Sequence, residues 1–260
     1  MTDATQTCLG IIGIGGRMGR EIVAVAADDP HVTVVGGTIR PGTTPTPLDA
    51  TGTIALHEDL ATLLPTVDVL IDFSTPATSV SAARLAAESG IPIVIGTTGL
   101  SADQLTVLRE ISTRTALFYA RNTAHGVNAL LRLLPQIAAA FADYDVELIE
   151  QHHRHKKDAP SGTALALAEA ILQGLGEGEH PYVFGREGFS PRKPGEIGMH
   201  SVRGGGNTGE HTIIFASDQE EIRITHRALN RSAFAAGAIR AARELVGKPA
   251  GWYGPDVSSR

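Results

Sequence analysis

An α/β architecture is predicted, with a doubly wound parallel sheet in the first half of the chain and a second, α+β domain in the other. Three observations carry that expectation. Short apolar runs alternate with helix-like stretches between residues 8 and 122. A glycine-rich segment directly follows the first run. After about residue 123 the pattern changes to helices followed by strands of alternating polarity.

The elements follow in order. CLGIIGI (8–14) reads as a buried strand and RMGREIVAVAADD (17–29) as a helix. HVTVVGGTI (31–39) is a second strand, and the Pro/Thr/Gly-rich RPGTTPTPLDATG (40–52) a loop. VDVLIDFS (67–74) reads as a strand, ATSVSAARLAAESG (77–90) as a helix ended by Gly90, and IPIVIGTTG (91–99) as a strand. Residues 101–114 predict another helix and TALFYARN (115–122) a last strand. Strands separated by helices imply βαβ units with right-handed crossovers and both sheet faces covered.

Beyond residue 123, VNALLRLLPQIAAAF (127–141) predicts a helix kinked or broken at Pro135. DVELIEQHH (145–153), a polar loop and a helix from Ser161 to Leu175 come next. Residues 198–229 read as strands joined by turns, in a mainly antiparallel sheet. SAFAAGAIRAARELVG (232–247) is a helix expected to return to the first domain. The domains expected are therefore 1–122 together with 232–260, and 123–231.

Composition narrows the functions. The chain has 260 residues, 42% hydrophobic and 19% charged, as ordinary globular domains do. A formal net charge of −6 argues against nucleic acid or an anionic membrane as partner. The single cysteine forms no internal disulfide, which fits a reducing cytoplasm. No basic-then-apolar leader opens the chain, and no apolar run approaches the roughly 20 residues of a membrane span. A soluble cytoplasmic protein is expected.

The segment GIIGIGGRMGREIV (10–23) carries the first chemical signal. The spacing G-x-G-x-x-G begun at Gly13 places Met18 where the third glycine belongs, and Gly19 follows. Glycines let peptide N–H groups approach a pyrophosphate, and the helix N-terminus adds donors and a favourable dipole. A missing side chain at Gly19 permits close helix–strand packing. A dinucleotide site is expected; the alternative is a strand-to-helix turn without a ligand. An acid near the end of the second strand would read a free 2′-hydroxyl. Ile39 and Arg40 stand there instead. Arg17 and Arg40 favour NADPH over NADH, since arginine pairs with a 2′-phosphate. Otherwise Arg40 is a solvated loop residue.

EQHHRHKKDAPSGTA (150–164) carries the second. His152 to Lys157 are six consecutive basic-type residues in an acidic protein. One reading is a solvated charge run. A metal site through His152, His153 and His155 is another, without the usual zinc spacings, and no metal is expected. A hydrolase built on Ser161 lacks a G-x-S-x-G elbow. The fourth reading is an anion site with a proton donor: Ser161 caps a helix whose Gly162 and Thr163 amides bind a carboxylate, with lysine and histidine upstream.

The segments GIGGRMG, IDFSTP, IGTTG, GVN, IEQHHRHKKDAPSGTA, GEHT and ITHRALNR run in that order between about residues 9 and 250. Together they resemble the 4-hydroxy-tetrahydrodipicolinate reductase (dihydrodipicolinate reductase) family, from the diaminopimelate route to lysine. The resemblance implies a Rossmann-type N-terminal domain, a C-terminal α+β domain for substrate binding and oligomerisation, and a homotetramer assembled through the C-terminal sheets. It implies hydride transfer from a reduced nicotinamide to ring C4 after the 4-hydroxyl leaves as water, with a proton taken up at C3. By position, His152 and Lys156 are the candidate proton donors, and His153, Lys156, Gly162, Thr163 and Arg231 hold the two carboxylates of a small dicarboxylate substrate. Cofactor contacts carry over to Gly13, Ile14, Gly15, Gly16, Arg17 and Met18, to Gly96, Thr97 and Thr98, and to Ala120, Arg121, Asn122 and Thr123. A cleft between the domains would exclude water from the hydride path, and Gly126 and Gly237 are either hinge or packing glycines.

The chain departs from the family pattern at three places. Many members have glutamate at the position of Ile39, a phenylalanine within the segment Asn122-Thr123-Ala124, and a small residue or proline at Arg121. Two other readings stand beside the reductase: another nicotinamide oxidoreductase such as an amino-acid dehydrogenase, and a dinucleotide sensor without catalysis.

Overall fold

In the computed structural model, residues 6–43, 48 and 52–255 are described. Both chain ends and most of the loop at 44–51 therefore lie outside the described residues. The chain divides into two compact units, residues 1–124 with 231–260, and residues 125–230. The division falls two residues later than the expected 122, and Arg231 belongs to the first unit.

The first unit is a seven-stranded parallel sheet in the order β3-β2-β1-β4-β5-β6-β12. Its strands are β1 (Thr7–Ile12), β2 (Val32–Thr38), β3 (Ala55–His57), β4 (Val69–Asp72), β5 (Ile93–Ile95), β6 (Ala116–Tyr119) and β12 (Gly251–Trp252). Helices α1 (Arg17–Ala27), α2 (Pro76–Glu88), α3 (Ala102–Ser112) and α6 (Ser232–Leu245) cover the sheet. The central strands are buried on both faces, so β4 reads as an uninterrupted apolar run until Asp72. Helix α1 turns Gly19, Ile22, Val23 and Ala26 inward at helical spacing. Helix α6 buries Ala235, Ala238, Ala241 and Ala242 in the same core cluster as α1, so the last helix returns to the first unit as expected. The order reverses between β1 and β4, the switch point where open α/β sheets bind ligands.

The second unit packs α4 (His125–Ala140) and α5 (Gly162–Leu175) on one face of a five-stranded sheet of order β11-β10-β7-β9-β8. Its strands are β7 (Asp145–His152), β8 (Tyr182–Phe184), β9 (Ile197–Arg203), β10 (Glu210–Ala216) and β11 (Glu221–Arg227). The expectation of a mainly antiparallel sheet is corrected. β10 pairs antiparallel with β7 and β11, but β9 pairs parallel with β7 and β8. The chain between β7 and β9 passes through α5, and a long crossover of that kind brings a strand back parallel.

Pro135 does not break α4, which runs unbroken from His125 to Ala140. The Pro135 carbonyl packs directly on Gly174 of α5, where a Cβ would overlap it. Helix–helix packing outweighs the local cost of proline here. Gly126 is a packing glycine: a Cβ there would lie 3.0 Å from the His226 ring.

Candidate active site

The glycine turn follows β1 and feeds α1. Gly13 adopts φ +77°, a left-handed backbone suited to glycine, and its carbonyl accepts the Gly16 N–H at 2.9 Å. Thr38 at the end of β2 accepts the Gly13 N–H on Oγ1 at 3.3 Å. Gly19 is needed for packing, since a Cβ there would lie 2.5 Å from the Ile14 carbonyl oxygen and 2.6 Å from that of Gly13. A Cβ on the exposed Gly15, by contrast, would meet only Ile39, 4.0 Å away. The backbone here is bare where a diphosphate would lie, so the turn fits a dinucleotide.

A cleft of about 580 Å3 opens beside this turn, lined by Gly13, Gly15 and Gly16, by Ile39 and Arg40, and by Ser74 and Thr75 across from them. Glu58 shares this lining and accepts the Gly42 N–H at 2.9 Å. Of the proposed cofactor residues, Ile14 behaves differently. Its side chain is fully buried and its N–H is donated to the Thr38 carbonyl, so it serves the scaffold.

The segments expected nearer the nicotinamide follow β5 and β6 on the same sheet. Thr97 is buried and donates to Asp72 through Oγ1 at 3.0 Å, while accepting the Ser74 N–H at 3.0 Å. Asp72, wholly buried at the end of β4, also accepts from Ser74 and Ser79. Burial pushes its carboxyl above the ordinary range, and these hydroxyl bonds oppose the shift. One carboxylate thereby ties the loops after β4 and β5 together. Ala120 is fully buried, and Gly96 lies so close to the Phe73 ring that a Cβ would overlap it. Arg121 hydrogen-bonds the buried Tyr119 phenol. Thr123 donates to the Phe234 carbonyl of α6 at 2.7 Å. Asn122 accepts the Ala124 N–H at 2.9 Å, turning the chain.

In the second unit, β7 turns Val146, Leu148, Glu150 and His152 to one buried face. The first two join the apolar core; the last two begin its polar end. Glu150 Oε2 lies 2.5 Å from His152 Nδ1. Arg203 at the end of β9 grips both Glu150 oxygens, at 2.9 and 2.6 Å, and the Ser161 N–H reaches Oε1 at 3.2 Å. Burial would raise the Glu150 carboxyl, but the hydrogen bonds from His152, Arg203 and Ser201 win and hold it far below the usual carboxylate range. His211 on β10 pairs directly with Glu150, lies edge-on to the His152 ring at 5.1 Å, and shares a 3.0 Å hydrogen bond with Ser161 Oγ. Burial, then the neighbouring His152, lowers the His211 imidazole to about 3, so it is neutral.

The basic stretch separates into parts. His152 is buried, His153 and Lys156 are half-buried, and Arg154, His155 and Lys157 are exposed. Lys156 Nζ pairs with Asp158 at 2.9 Å, and this lysine holds the largely exposed Asp158 carboxyl below its usual range against a desolvation effect of opposite sign. Ser161 caps α5 by accepting the Ala164 N–H at 3.1 Å, and Gly162 and Thr163 form the first turn. Arg231 is the N-cap residue of α6 in the first unit. His152, His153 and His155 do not converge on a common point as a metal site would require. The metal-type cluster among the described residues is Glu150, His152 and His211 instead. Arg203 already occupies both Glu150 oxygens, which suits a proton-handling array better than a cation.

Residues 7–123 match the family described as "Dihydrodipicolinate reductase, N-terminus", and residues 126–256 match "Dihydrodipicolinate reductase, C-terminus". The chain belongs to the dihydrodipicolinate reductase family. It is 45% identical over 248 residues to the 4-hydroxy-tetrahydrodipicolinate reductase of Thermomicrobium roseum, covering 94% of this chain and 96% of that one. The enzyme of the same name from Psychrobacter arcticus is 43% identical over 255 residues, covering 94% and 92%. A dipicolinate-bound dihydrodipicolinate reductase structure from Paenisporosarcina sp. TG-14 shares the fold, with a TM-score of 0.78, 24% identity, and coverage of 96% and 98%.

Asp72, Glu150, Arg203 and His211 were not among the residues expected from the sequence. Glu150 had a detectable signal, since it stands two residues before His152 and therefore on the same strand face. Arg203 and His211 depend on strand register, which a single sequence does not reveal.

Proposed function

We propose that this protein reduces 4-hydroxy-tetrahydrodipicolinate to tetrahydrodipicolinate with NAD(P)H, releasing water, in the diaminopimelate route to lysine. The observation that carries this reading is the polar end of the second unit. There a buried, carboxylate-backed His152, the half-buried Lys156 and the N-terminus of α5 lie within one short stretch of chain. A dianionic substrate is costly to desolvate unless paired. Lys156, His153 and the first-turn amides of Gly162 and Thr163 supply that pairing. Water is lost across C3–C4, the hydroxyl from C4 with a hydrogen from C3, leaving a double bond between them; when bound, the reduced nicotinamide supplies the hydride that C4 then accepts. The electron pair released toward C3 takes a proton from His152 or Lys156, and that donor is recharged from solvent.

NADPH is the favoured cofactor. Arg40 lines the cleft beside the glycine turn where an acid would otherwise meet a 2′-hydroxyl. The second unit is proposed to carry substrate binding and assembly into a homotetramer, and the enzyme to work in the cytoplasm. No helix among the described residues is long and apolar enough to cross a membrane. A coupled assay tests the reaction. Pyruvate, aspartate semialdehyde and the upstream synthase are supplied, and cofactor absorbance is followed. Oxidation that requires both the synthase and this protein is expected; activity only on oxo acids would favour an amino-acid dehydrogenase instead.

A further inference from the structure

We propose that Glu150 is a positioning residue for the reaction: clamped by Arg203, it fixes the His152 ring with its proton on Nδ1 and keeps Nε2 as the face that meets substrate. This inference rests on the reductase reading for what His152 does, but not for how the ring is held.

Three features of the geometry support it. Both Glu150 oxygens are fixed by Arg203, and Oε1 also takes the Ser161 N–H, so the carboxylate cannot rotate away from the 2.5 Å contact with Nδ1. A bound carboxylate accepts only, so Nδ1 must be the donor. On the opposite edge of the ring lies Gly209, at φ +148°, where a Cβ would come within 3.0 Å of Nε2. Gly209 therefore puts no side chain against Nε2, and any larger residue there would crowd it. Free neutral imidazole is not confined to the Nδ1–H form, and the partner of one ring nitrogen decides the state of the other. His211 cannot take over this role. Its imidazole is neutral, and its Nε2 is shared with Ser161.

The arrangement further explains why the half-buried Arg203 lies at the end of β9. Its guanidinium also donates to the Asp158 carbonyl, at 2.6 Å, within the loop that carries Lys156. One cation thus fixes the carboxylate behind one proposed proton donor and the loop that bears the other.

The test uses the full-length protein and Glu150→Gln. Two-bond proton–nitrogen spectra of histidine-labelled protein, with His152 assigned through His152→Gln, report the tautomer without reference to activity. Wild type is expected to show neutral His152 protonated at Nδ1, and Glu150→Gln to lose that preference. In the reductase assay, the variant should lose kcat by tenfold or more with little change in the NADPH KM. Neutral wild-type His152 protonated at Nε2 would overturn the proposal even if the variant fails to fold. A variant with an unmoved tautomer would overturn it as well. A wild-type protein with the expected tautomer but no reductase turnover would instead sink the functional reading and leave the positioning intact.

Discussion

Replacing Gly19 by alanine separates the two uses of glycine in the cofactor turn. The new Cβ would lie 2.5 Å from the Ile14 carbonyl oxygen and 2.6 Å from that of Gly13, whereas real Cβ contacts do not fall below 3.0 Å. Helix α1 and the turn must therefore part by at least the difference, 3.0 − 2.5 = 0.5 Å. Both obstacles are backbone, so no rotamer change relieves them. Overpacking of this kind costs about 1–3 kcal/mol, and the upper end applies where backbone must move. Alanine returns about 1 kcal/mol of helix propensity. The net loss is about 2 kcal/mol, a few degrees in melting temperature. The displaced atoms belong to the turn proposed to cradle the cofactor, so NADPH binding by fluorescence titration should weaken at least tenfold. Gly15→Ala supplies the contrast. Its Cβ meets nothing nearer than 4.0 Å, so thermal stability should hold while NADPH affinity falls. A Gly19→Ala protein with wild-type melting temperature and wild-type NADPH affinity would refute the reasoning.

Further expectations concern charge. Lys156→Ala should lower turnover more than tenfold while NADPH affinity, measured by titration, stays nearly unchanged; wild-type turnover would remove Lys156 from the proposed chemistry. Arg40→Glu should raise the KM for NADPH tenfold or more and leave that for NADH much less affected, and equal effects on both would contradict a 2′-phosphate contact. Neutral buried His211 makes stability depend on pH. The unfolded chain binds a proton near 6.5, but the folded chain only near 3, so this contribution is intact above 6.5 and is lost as pH falls to about 3. Urea unfolding at stepped pH should show a shallower decline for His211→Gln than for wild type across that window.

Much of the first unit was legible because its signals are local. The strand, glycine turn and helix at 8–29 need only neighbouring residues, as does the Ser161 cap of α5. The strands β3, β8 and β12 were not legible, because runs of two or three residues have no period to detect. The parallel pairing of β9 escaped because alternation in GMHSVR marks a strand but not its partner. Pro135 predicted a break that α4–α5 packing suppresses, which is tertiary structure overruling local preference. The same limit applied to the site. His152 and Lys156 stand out in a basic run, while the Arg203 and His211 side chains that organise the site arrive from strands 51 and 59 residues beyond His152.

The most direct measurement is a crystal structure with NADPH and pyridine-2,6-dicarboxylate bound together. The account predicts the dicarboxylate on the Gly162–Thr163 amides with His152 and Lys156 beside its ring, and nicotinamide C4 in near-attack range of that ring, about 3–3.5 Å. A dicarboxylate seated away from His152, or a nicotinamide that meets no part of it, would contradict the account.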